Sequence, residues 1–202
     1  MLETFKLGQY SRTTLTATDT NLVSREYVPL GPFNSKNFGT TISPWVVLLD
    51  ALEPFAAEGM TNDTQVLPYL NENGRKSHYS IDLSMTIRTS SGNANAIGRT
   101  TSENLLFSFP QMLAHHTVGG CPFNVGDLLG SGTISGESKG AKGCLLEQSE
   151  NGKREILLEG GEKRTFLEDG DEVTITGCCG TEDGAFVGFG ECTGRIEPAI
   201  KI

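Results

Sequence analysis

The chain has 202 residues, of which 25 are acidic and 16 are basic, so its formal net charge at pH 7 is −9. This acidic balance argues against nucleic acid or an anionic membrane surface as a partner. No apolar run approaches the roughly 20 residues that a membrane-spanning helix needs. We therefore expect a soluble, cytoplasmic protein, and the 37% apolar content is enough for the core of one turn-rich domain.

The beginning of the chain differs in character from the rest. Residues 1–24 are rich in Thr, weakly periodic and poor in apolar anchors, so we expect them to form an unrelated, poorly ordered leader. Residues 25–202 then form a single domain. Its first segment, Tyr27 to Phe55, mixes Gly and Pro turns with apolar residues, which predicts an ordered but irregular loop of the kind that serves a site.

The clearest strand signal covers residues 80–88. Polar and apolar residues alternate strictly in SIDLSMTIR, which is typical of a strand with one face on a core. Asn73-Gly74 before this segment and Ser91-Gly92 after it predict turns.

One helix is predicted between Ser102 and Val118, where apolar residues recur at spacings of three and four. Pro110 fits only a first helical turn, so a helix that starts near Ser108, with that serine as its cap, is the preferred version. Further short strands are predicted at Leu128 to Ile134, Gly143 to Gln148, Glu155 to Leu158, Glu172 to Cys178 and Ala185 to Arg195.

Turn signals recur every eight to twelve residues through the second half, at Asn151-Gly152, Gly160-Gly161 and Asp169-Gly170. Parallel strands would need helical crossovers, for which the sequence has no pattern. These features predict a mainly β fold, a mixed or antiparallel sandwich or roll, with one or two short helices.

Two motif blocks carry a resemblance to a known family. YVPLGPFNSKNFGTTISPWVV begins at Tyr27, and HHTVGGCPFNVGDLLGSGTISG begins at His115. Together with the tail from Phe166 to Pro198, they resemble the C-terminal half of the fumarylacetoacetases. These enzymes hydrolyse a C–C bond of 4-fumarylacetoacetate to give fumarate and acetoacetate, the last step of tyrosine and phenylalanine catabolism.

The resemblance implies a set of site residues. It implies a cytoplasmic homodimer that acts on a small β-diketo acid with Mg²⁺ or Ca²⁺. Tyr27 and Thr133 fall on the family's substrate-binding residues, Lys36 on the lysine of the metal and oxyanion region, and Thr40 on the threonine of the metal's outer shell. Glu147 falls on a buried glutamate that orients a histidine base.

The residues themselves support this chemistry only in part. Cleavage of a β-diketone expels an enolate-like carbanion, which a cation such as Lys36 would stabilise, although most loop lysines are simply solvated. Glu147 in CLLEQ is expected to lie in a strand, at least partly buried and paired. Without the resemblance it fits an edge strand in water equally well, and GSGTISG fits a structural turn. We expect Lys36, Thr133 and Glu147 to converge on one cleft.

The histidines and cysteines are interpreted as structural. His115 and His116 are adjacent on the predicted helix and point about 100° apart, so one ring is expected to be packed and the other partly exposed. The odd number of cysteines and the absence of a C-x-x-C pair predict small buried hydrophobes in a reducing compartment. The five cysteines are Cys121, Cys144, Cys178, Cys179 and Cys192.

The resemblance fails just before Tyr27. There the family carries a metal-binding Asp and oxyanion-stabilising Arg and Gln residues, and their positions are Thr16, Thr20 and Val23 in this sequence. The family's other metal carboxylates and its catalytic histidine lie upstream of the matched residues. The sequence therefore leaves two main hypotheses, a truncated hydrolase and an inactive remnant that serves only as a binding or dimerising domain. An acylpyruvase-like activity is a third and weaker one.

Overall fold

The computed structural model describes residues 10–11, 14–16, 20–31, 33–37, 39–74 and 76–200. The strands are β1 (Tyr10–Ser11), β2 (Thr14–Thr16), β3 (Thr40–Ile42), β4 (Val47–Leu48), β5 (Ala56–Ala57), β6 (His78–Tyr79), β7 (Asp82–Arg88), β8 (Ala94–Thr101), β9 (Ile156–Leu157), β10 (Lys163–Arg164), β11 (Glu172–Gly180) and β12 (Phe186–Arg195). The α-helices are α1 (Thr20–Glu26), α2 (Phe109–Val118) and α3 (Leu145–Gln148). Short 3-10 helices cover Asn34–Lys36, Leu49–Phe55, Pro68–Leu70, Ser102–Asn104 and Lys139–Ala141.

A four-stranded antiparallel sheet in the order β12-β11-β7-β8 forms the centre of the structure. Strand β7 buries every second residue, Leu83, Met85 and Ile87, because its side chains point alternately to the two faces. The strand predicted at residues 80–88 and the mainly β fold class are therefore confirmed. The remaining strands form the two-stranded pairs β1-β4, β2-β3, β5-β6 and β9-β10. None of the described helices has the length and apolar character that crossing a bilayer requires.

The main core lies against this sheet, and helix α2 contributes Phe109 to it. Leu52, Ile81, Phe109 and Phe189 are at most 5% exposed and belong to one cluster. Helix α2 begins at the preferred position, because the Ser108 side chain accepts a hydrogen bond from the backbone N–H of Gln111, and the Gln111 side-chain oxygen accepts one from the backbone N–H of Ser108. This capping box satisfies two N–H groups that a helix start otherwise leaves unpaired.

Two of the strand predictions are wrong. Residues 128–134 form no strand in the structure, and Gly132 has a φ of +80°, which interrupts an extended backbone. Residues 145–148 form helix α3, in which the N–H of Ser149 donates to the carbonyl of Leu145 at 2.8 Å. The residues of α3 are Leu, Leu, Glu and Gln, all of which favour helix over strand. The predicted strand at Glu155 to Leu158 shortens to Ile156–Leu157.

The expected boundary near Ser24 falls inside an element, because helix α1 runs across it. Strand β1 pairs with β4, and β2 pairs with β3, so the described part of residues 1–24 contributes to two strand pairs. Residues 1–9, 12–13 and 17–19 lie outside the described residues. The interpretation of the first 24 residues as an unrelated, poorly ordered leader stays a prediction.

The cysteine prediction holds for only two of the five side chains. Cys179 and Cys192 are buried, whereas Cys121 is exposed and Cys144 and Cys178 are half-buried. Burial raises the pKa of the Cys179 thiol to about 12, and Cys178 and Asp82 add to the shift. Such a thiol is unreactive at neutral pH, as a structural role requires.

His78 gives the fold a pH dependence that can be measured. Its ring is buried on β6, and the Nε2 atom has no hydrogen-bond partner in the described structure. Burial lowers the pKa of His78 from the ordinary 6.5, while the charge of Glu72 opposes the shift. The folded state then binds fewer protons than the unfolded state as the pH falls below 6.5. The free energy of unfolding should therefore decrease from pH 6.5 downward until the folded-state pKa is passed, by at most about 1.4 kcal/mol per pH unit.

Urea titrations at several pH values test this expectation. His78→Gln should flatten the dependence of the unfolding free energy below pH 6.5, and His116→Gln, at an exposed histidine, is the matched control. A His78→Gln variant with the wild-type dependence would show that this ring does not couple folding to protonation.

Candidate functional site

The first part of the candidate site is the segment that comes directly after helix α1 in the chain. The N–H groups of Leu30 and Gly31 donate to the carbonyls of Glu26 and Tyr27, at 3.2 and 3.0 Å, and so continue the turns beyond the helix. Gly31 has a φ of +76°, which a residue with a side chain rarely adopts, and the chain changes direction there. Tyr27 is 58% exposed, so its hydroxyl is available to a ligand.

The Glu26 carboxylate organises the turn that carries Lys36. It accepts hydrogen bonds from the backbone N–H groups of Phe33 at 2.6 Å, Asn34 at 2.9 Å and Ser35 at 2.8 Å. The Ser35 side chain and these N–H groups lower the pKa of Glu26 to about 2, although partial desolvation opposes the shift. Lys36 ends the 3-10 helix that follows and is half-buried.

Thr40 lies opposite Thr16 in the pairing of β3 with β2. Thr40 is the predicted outer-shell residue, and residue 16 is the position of the metal-binding Asp in the family that the sequence resembles. An aspartate at position 16 would therefore lie directly opposite Thr40 on the neighbouring strand. The β3 segment is attached to β12, because the Ser43 hydroxyl donates to the carbonyl of Phe189 at 2.6 Å and the Cys192 thiol contacts the carbonyl of Thr41 at 3.3 Å.

The second part of the candidate site is formed by the glycine-rich loop and helix α3. The Ser135 hydroxyl accepts a hydrogen bond from the N–H of Gly143 at 2.9 Å and donates one to the Glu147 carboxylate. A Cβ atom at Gly143 would approach the Thr133 methyl group to 2.7 Å, so the two backbone segments pack closely. Ser135 thus connects the loop that carries Thr133 with the helix that carries Glu147.

Glu147 differs from its prediction in two ways. It lies on helix α3 rather than in a strand, and its side chain is exposed rather than buried. The physical reason is that a four-residue helix on the surface holds the carboxylate at the edge of the loop, where solvent and the Ser135 hydroxyl satisfy it. Among the described residues, its hydrogen-bond donor is this serine rather than a histidine.

The predicted residues fall into two sets. Tyr27, Lys36 and Thr40 belong to the segment from residue 27 to residue 40, and Ser135 links the loop that carries Thr133 to the helix that carries Glu147. The convergence of both sets on one cleft stays a prediction. An open groove of about 290 Å³ lies elsewhere, on the polar face of the central sheet. Arg99 and Asp82, whose side chains form an ion pair at 3.1 Å, line this groove, and none of the five predicted residues does.

Sequence reasoning missed Glu26 and Ser135 as organising residues. Glu26 directly precedes the YVPLGPF block, and Ser135 belongs to the glycine-rich motif. An acidic side chain a few residues from a Pro-rich turn, and a hydroxyl inside a glycine loop, are the signals that could have found them, because both can satisfy the N–H groups that such turns leave unpaired.

Comparison with known proteins places this arrangement in a family. Residues 14–197 match the family model for the fumarylacetoacetate (FAA) hydrolase C-terminal domain. The chain belongs to this family. It is 57% identical to the fumarylacetoacetase of Aspergillus fumigatus over 179 residues, 50% identical to that of Arabidopsis thaliana over 175 residues and 47% identical to that of Bos taurus over 177 residues.

These alignments cover 88%, 86% and 87% of this chain but only 41%, 41% and 42% of the respective relatives. The chain therefore spans about two fifths of the length of the fumarylacetoacetases it matches. The resemblance found in the sequence is confirmed, and the family match starts at residue 14, ahead of the expected boundary near Ser24.

The described residues do not form a metal centre of the kind that the family resemblance implies. In the part of the chain that the structure describes, no three His, Cys, Asp or Glu side chains lie close enough together to hold an ion. Mg²⁺ and Ca²⁺ prefer several carboxylate or carbonyl oxygens, whereas Lys36 offers an ammonium group and Thr40 a single hydroxyl. These two residues can neighbour an ion but do not make a binding site for one.

The paired histidines contact separate aromatic rings. His115 Nδ1 lies 3.0 Å from the Tyr69 hydroxyl, and the two rings stack with centroids 6.3 Å apart. The His116 ring lies 4.8 Å from that of Phe123. Both histidines are exposed, so the expectation that one would be packed is wrong. Their different partners agree with the angle of about 100° between adjacent helical side chains.

Proposed function

We propose that this chain supplies one wall of the active site of a fumarylacetoacetase, which hydrolyses 4-fumarylacetoacetate to fumarate and acetoacetate. The observation that carries the proposal is the identity of 57% to a fumarylacetoacetase over 88% of the chain. The geometry adds support, because Glu26 orders the turn that carries Lys36 and Ser135 links the Thr133 loop to Glu147.

The proposed reaction assigns roles to Tyr27, Lys36, Thr133 and Glu147. A water molecule adds to the carbonyl carbon of the fumaryl group, which becomes the new carboxyl group of fumarate, and the bond between that carbon and the neighbouring methylene carbon breaks. The electron pair leaves with the methylene carbon as the enolate of acetoacetate, which then takes up a proton. The Lys36 ammonium group would stabilise the negative oxygen that develops, because a preorganised cation favours the transition state over the ground state.

The other side chains would bind and orient. The hydroxyls of Tyr27 and Thr133 can donate hydrogen bonds to a substrate carboxylate or carbonyl. Glu147, with its carboxylate held by Ser135, can accept a proton or orient the group that activates the water. The exposure of Glu147 supports this role, because its carboxylate can reach a base that this chain does not itself supply.

We place the complete enzyme in the cytoplasm, as a homodimer in tyrosine and phenylalanine catabolism. The Mg²⁺ or Ca²⁺ ion that the family resemblance implies has no ligand set in the described part of this chain. Lys36 and Thr40 are the proposed neighbours of such an ion.

A second candidate is a non-catalytic domain that binds another polypeptide. Its support is a set of large apolar side chains that are well exposed in the segment from residue 27 to residue 45, because such a patch usually marks an interaction surface. These are Tyr27, Val28, Leu30, Phe33 and Trp45, which are 58%, 68%, 75%, 69% and 66% exposed.

A substrate comparison in a complemented enzyme tests the proposal. The chain would be co-expressed with the part of the A. fumigatus fumarylacetoacetase that it does not cover, and the purified complex would receive fumarylacetoacetate or acetylpyruvate. We expect kcat/KM for fumarylacetoacetate to be at least about tenfold higher than for acetylpyruvate. A site whose polar groups pair with the fumaryl carboxylate would leave those groups unpaired when it binds the shorter substrate. A preference for acetylpyruvate would indicate an acylpyruvase. A stable complex without turnover of either would favour the binding domain.

A further inference from the structure

The Glu26 carboxylate connects the chain next to Tyr27 with the turn next to Lys36. Glu26 directly precedes Tyr27 in the chain, and Ser35, which donates its N–H to Glu26 at 2.8 Å, directly precedes Lys36. The N–H groups of Phe33 and Asn34 donate to the same carboxylate at 2.6 and 2.9 Å. Three successive backbone donors therefore meet one acidic side chain seven to nine residues away.

This arrangement is suited to fixing a turn. Backbone N–H groups need an acceptor, and an ionised carboxylate is a stronger acceptor than a neutral oxygen. The pKa of about 2 means that Glu26 stays ionised at any pH at which the protein would be assayed. Ser35 is completely buried, so its backbone has little room to move away from the carboxylate.

We propose that Glu26 is a positioning residue of the hydrolase, which holds the turn before Lys36 at a fixed place relative to Tyr27. The inference rests on the proposed function, since Lys36 is a catalytic residue only if the hydrolase reaction takes place. Glu26 itself contacts backbone, and its effect on the reaction passes through Lys36.

The test uses Glu26→Gln and Glu26→Asp, with Glu58→Gln as the matched control. Glu58 is a surface glutamate, 79% exposed, that pairs with Lys76. Gln keeps the length of Glu but replaces one acceptor oxygen by an NH₂ group that faces the backbone donors. Asp keeps the charge on a shorter side chain. Amide hydrogen exchange of the chain alone reports on the turn, and kcat and KM of the complemented enzyme report on catalysis.

We expect Glu26→Gln to speed the exchange of the Phe33, Asn34 and Ser35 amides by about tenfold or more, while amides of β11 keep their wild-type rates. In the complemented enzyme, kcat should fall on the order of tenfold to a hundredfold with KM changed by less than about threefold, because a displaced Lys36 affects the transition state more than binding. Glu26→Asp should recover part of both losses, and Glu58→Gln should match wild type.

The two readouts separate the possible failures. Unchanged exchange of the three amides in Glu26→Gln would disprove that the Glu26 carboxylate holds this turn. Faster exchange with an unchanged kcat would disprove its role in positioning Lys36. If the wild-type complex has no activity, the proposed function fails and the positioning role falls with it, while the exchange data still decide whether Glu26 holds the turn. Should Glu26→Gln not fold, Glu26→Asp decides the same two questions.

Discussion

This chain alone is expected to leave fumarylacetoacetate unhydrolysed, even with Mg²⁺ or Ca²⁺ in the buffer. The positions at which the family carries a metal carboxylate and two oxyanion donors are Thr16, Thr20 and Val23. Loss of one preorganised oxyanion donor typically lowers the rate on the order of 10²–10³, and a missing general base lowers it on the order of 10²–10⁴. These losses are not additive, but either would bring turnover close to background.

The measurement is the decrease of the diketone's ultraviolet absorbance with purified chain, compared with buffer and metal alone. Addition of the part of the A. fumigatus fumarylacetoacetase that this chain does not cover should restore turnover, because that part is expected to bring the missing groups. Saturable turnover by the chain alone, abolished by Glu147→Gln, would contradict the account. It would mean that a described residue such as His115 or His116 supplies the base.

The elements that could be predicted from the sequence are those with a local and periodic signal. Strand β7 alternates between the core and the opposite face of the sheet, and such a pattern fits no other element. Helix α2 has both a serine cap and a proline in its first turn, so its start could be placed at Ser108. The hairpin turn at Gly160-Gly161 could also be predicted. Both residues have positive φ values in the structure, which glycine adopts readily.

The wrong predictions concern segments without such a signal. CLLEQ is short and apolar at its start, and a run of this length does not distinguish a strand from a helical turn. The residues of this segment favour helix over strand, and the structure forms the short helix α3 there. The apolar residues before Glu147 and the resemblance both predict that it is buried, whereas the structure leaves its carboxylate exposed.

The candidate site could be predicted as a set of residues but not as an arrangement. Tyr27, Lys36, Thr40, Thr133 and Glu147 come from motifs that match the family. The contacts that place them depend on which loop N–H groups lack a partner, and a sequence does not show this. Glu26 is the clearest case, because its three backbone donors are brought within reach only when the chain reverses at Gly31.

The proposed mechanism depends most on Lys36 as the cation that stabilises the departing enolate. In the complemented enzyme, Lys36→Met keeps most of the side-chain volume and removes the charge. We expect kcat for fumarylacetoacetate to fall on the order of 10²–10³ with a much smaller change in KM, because the charge acts on the oxygen that becomes negative only in the transition state. Lys76→Met is the matched control, since Lys76 is a surface lysine that is 59% exposed and pairs with Glu58.

The measurement is therefore kcat and KM of wild type, Lys36→Met and Lys76→Met, from the disappearance of the diketone absorbance under the same conditions. We expect the large loss of kcat in Lys36→Met alone. A Lys36→Met enzyme that turns over at the rate of wild type and of Lys76→Met would contradict the assignment of this segment to the active site.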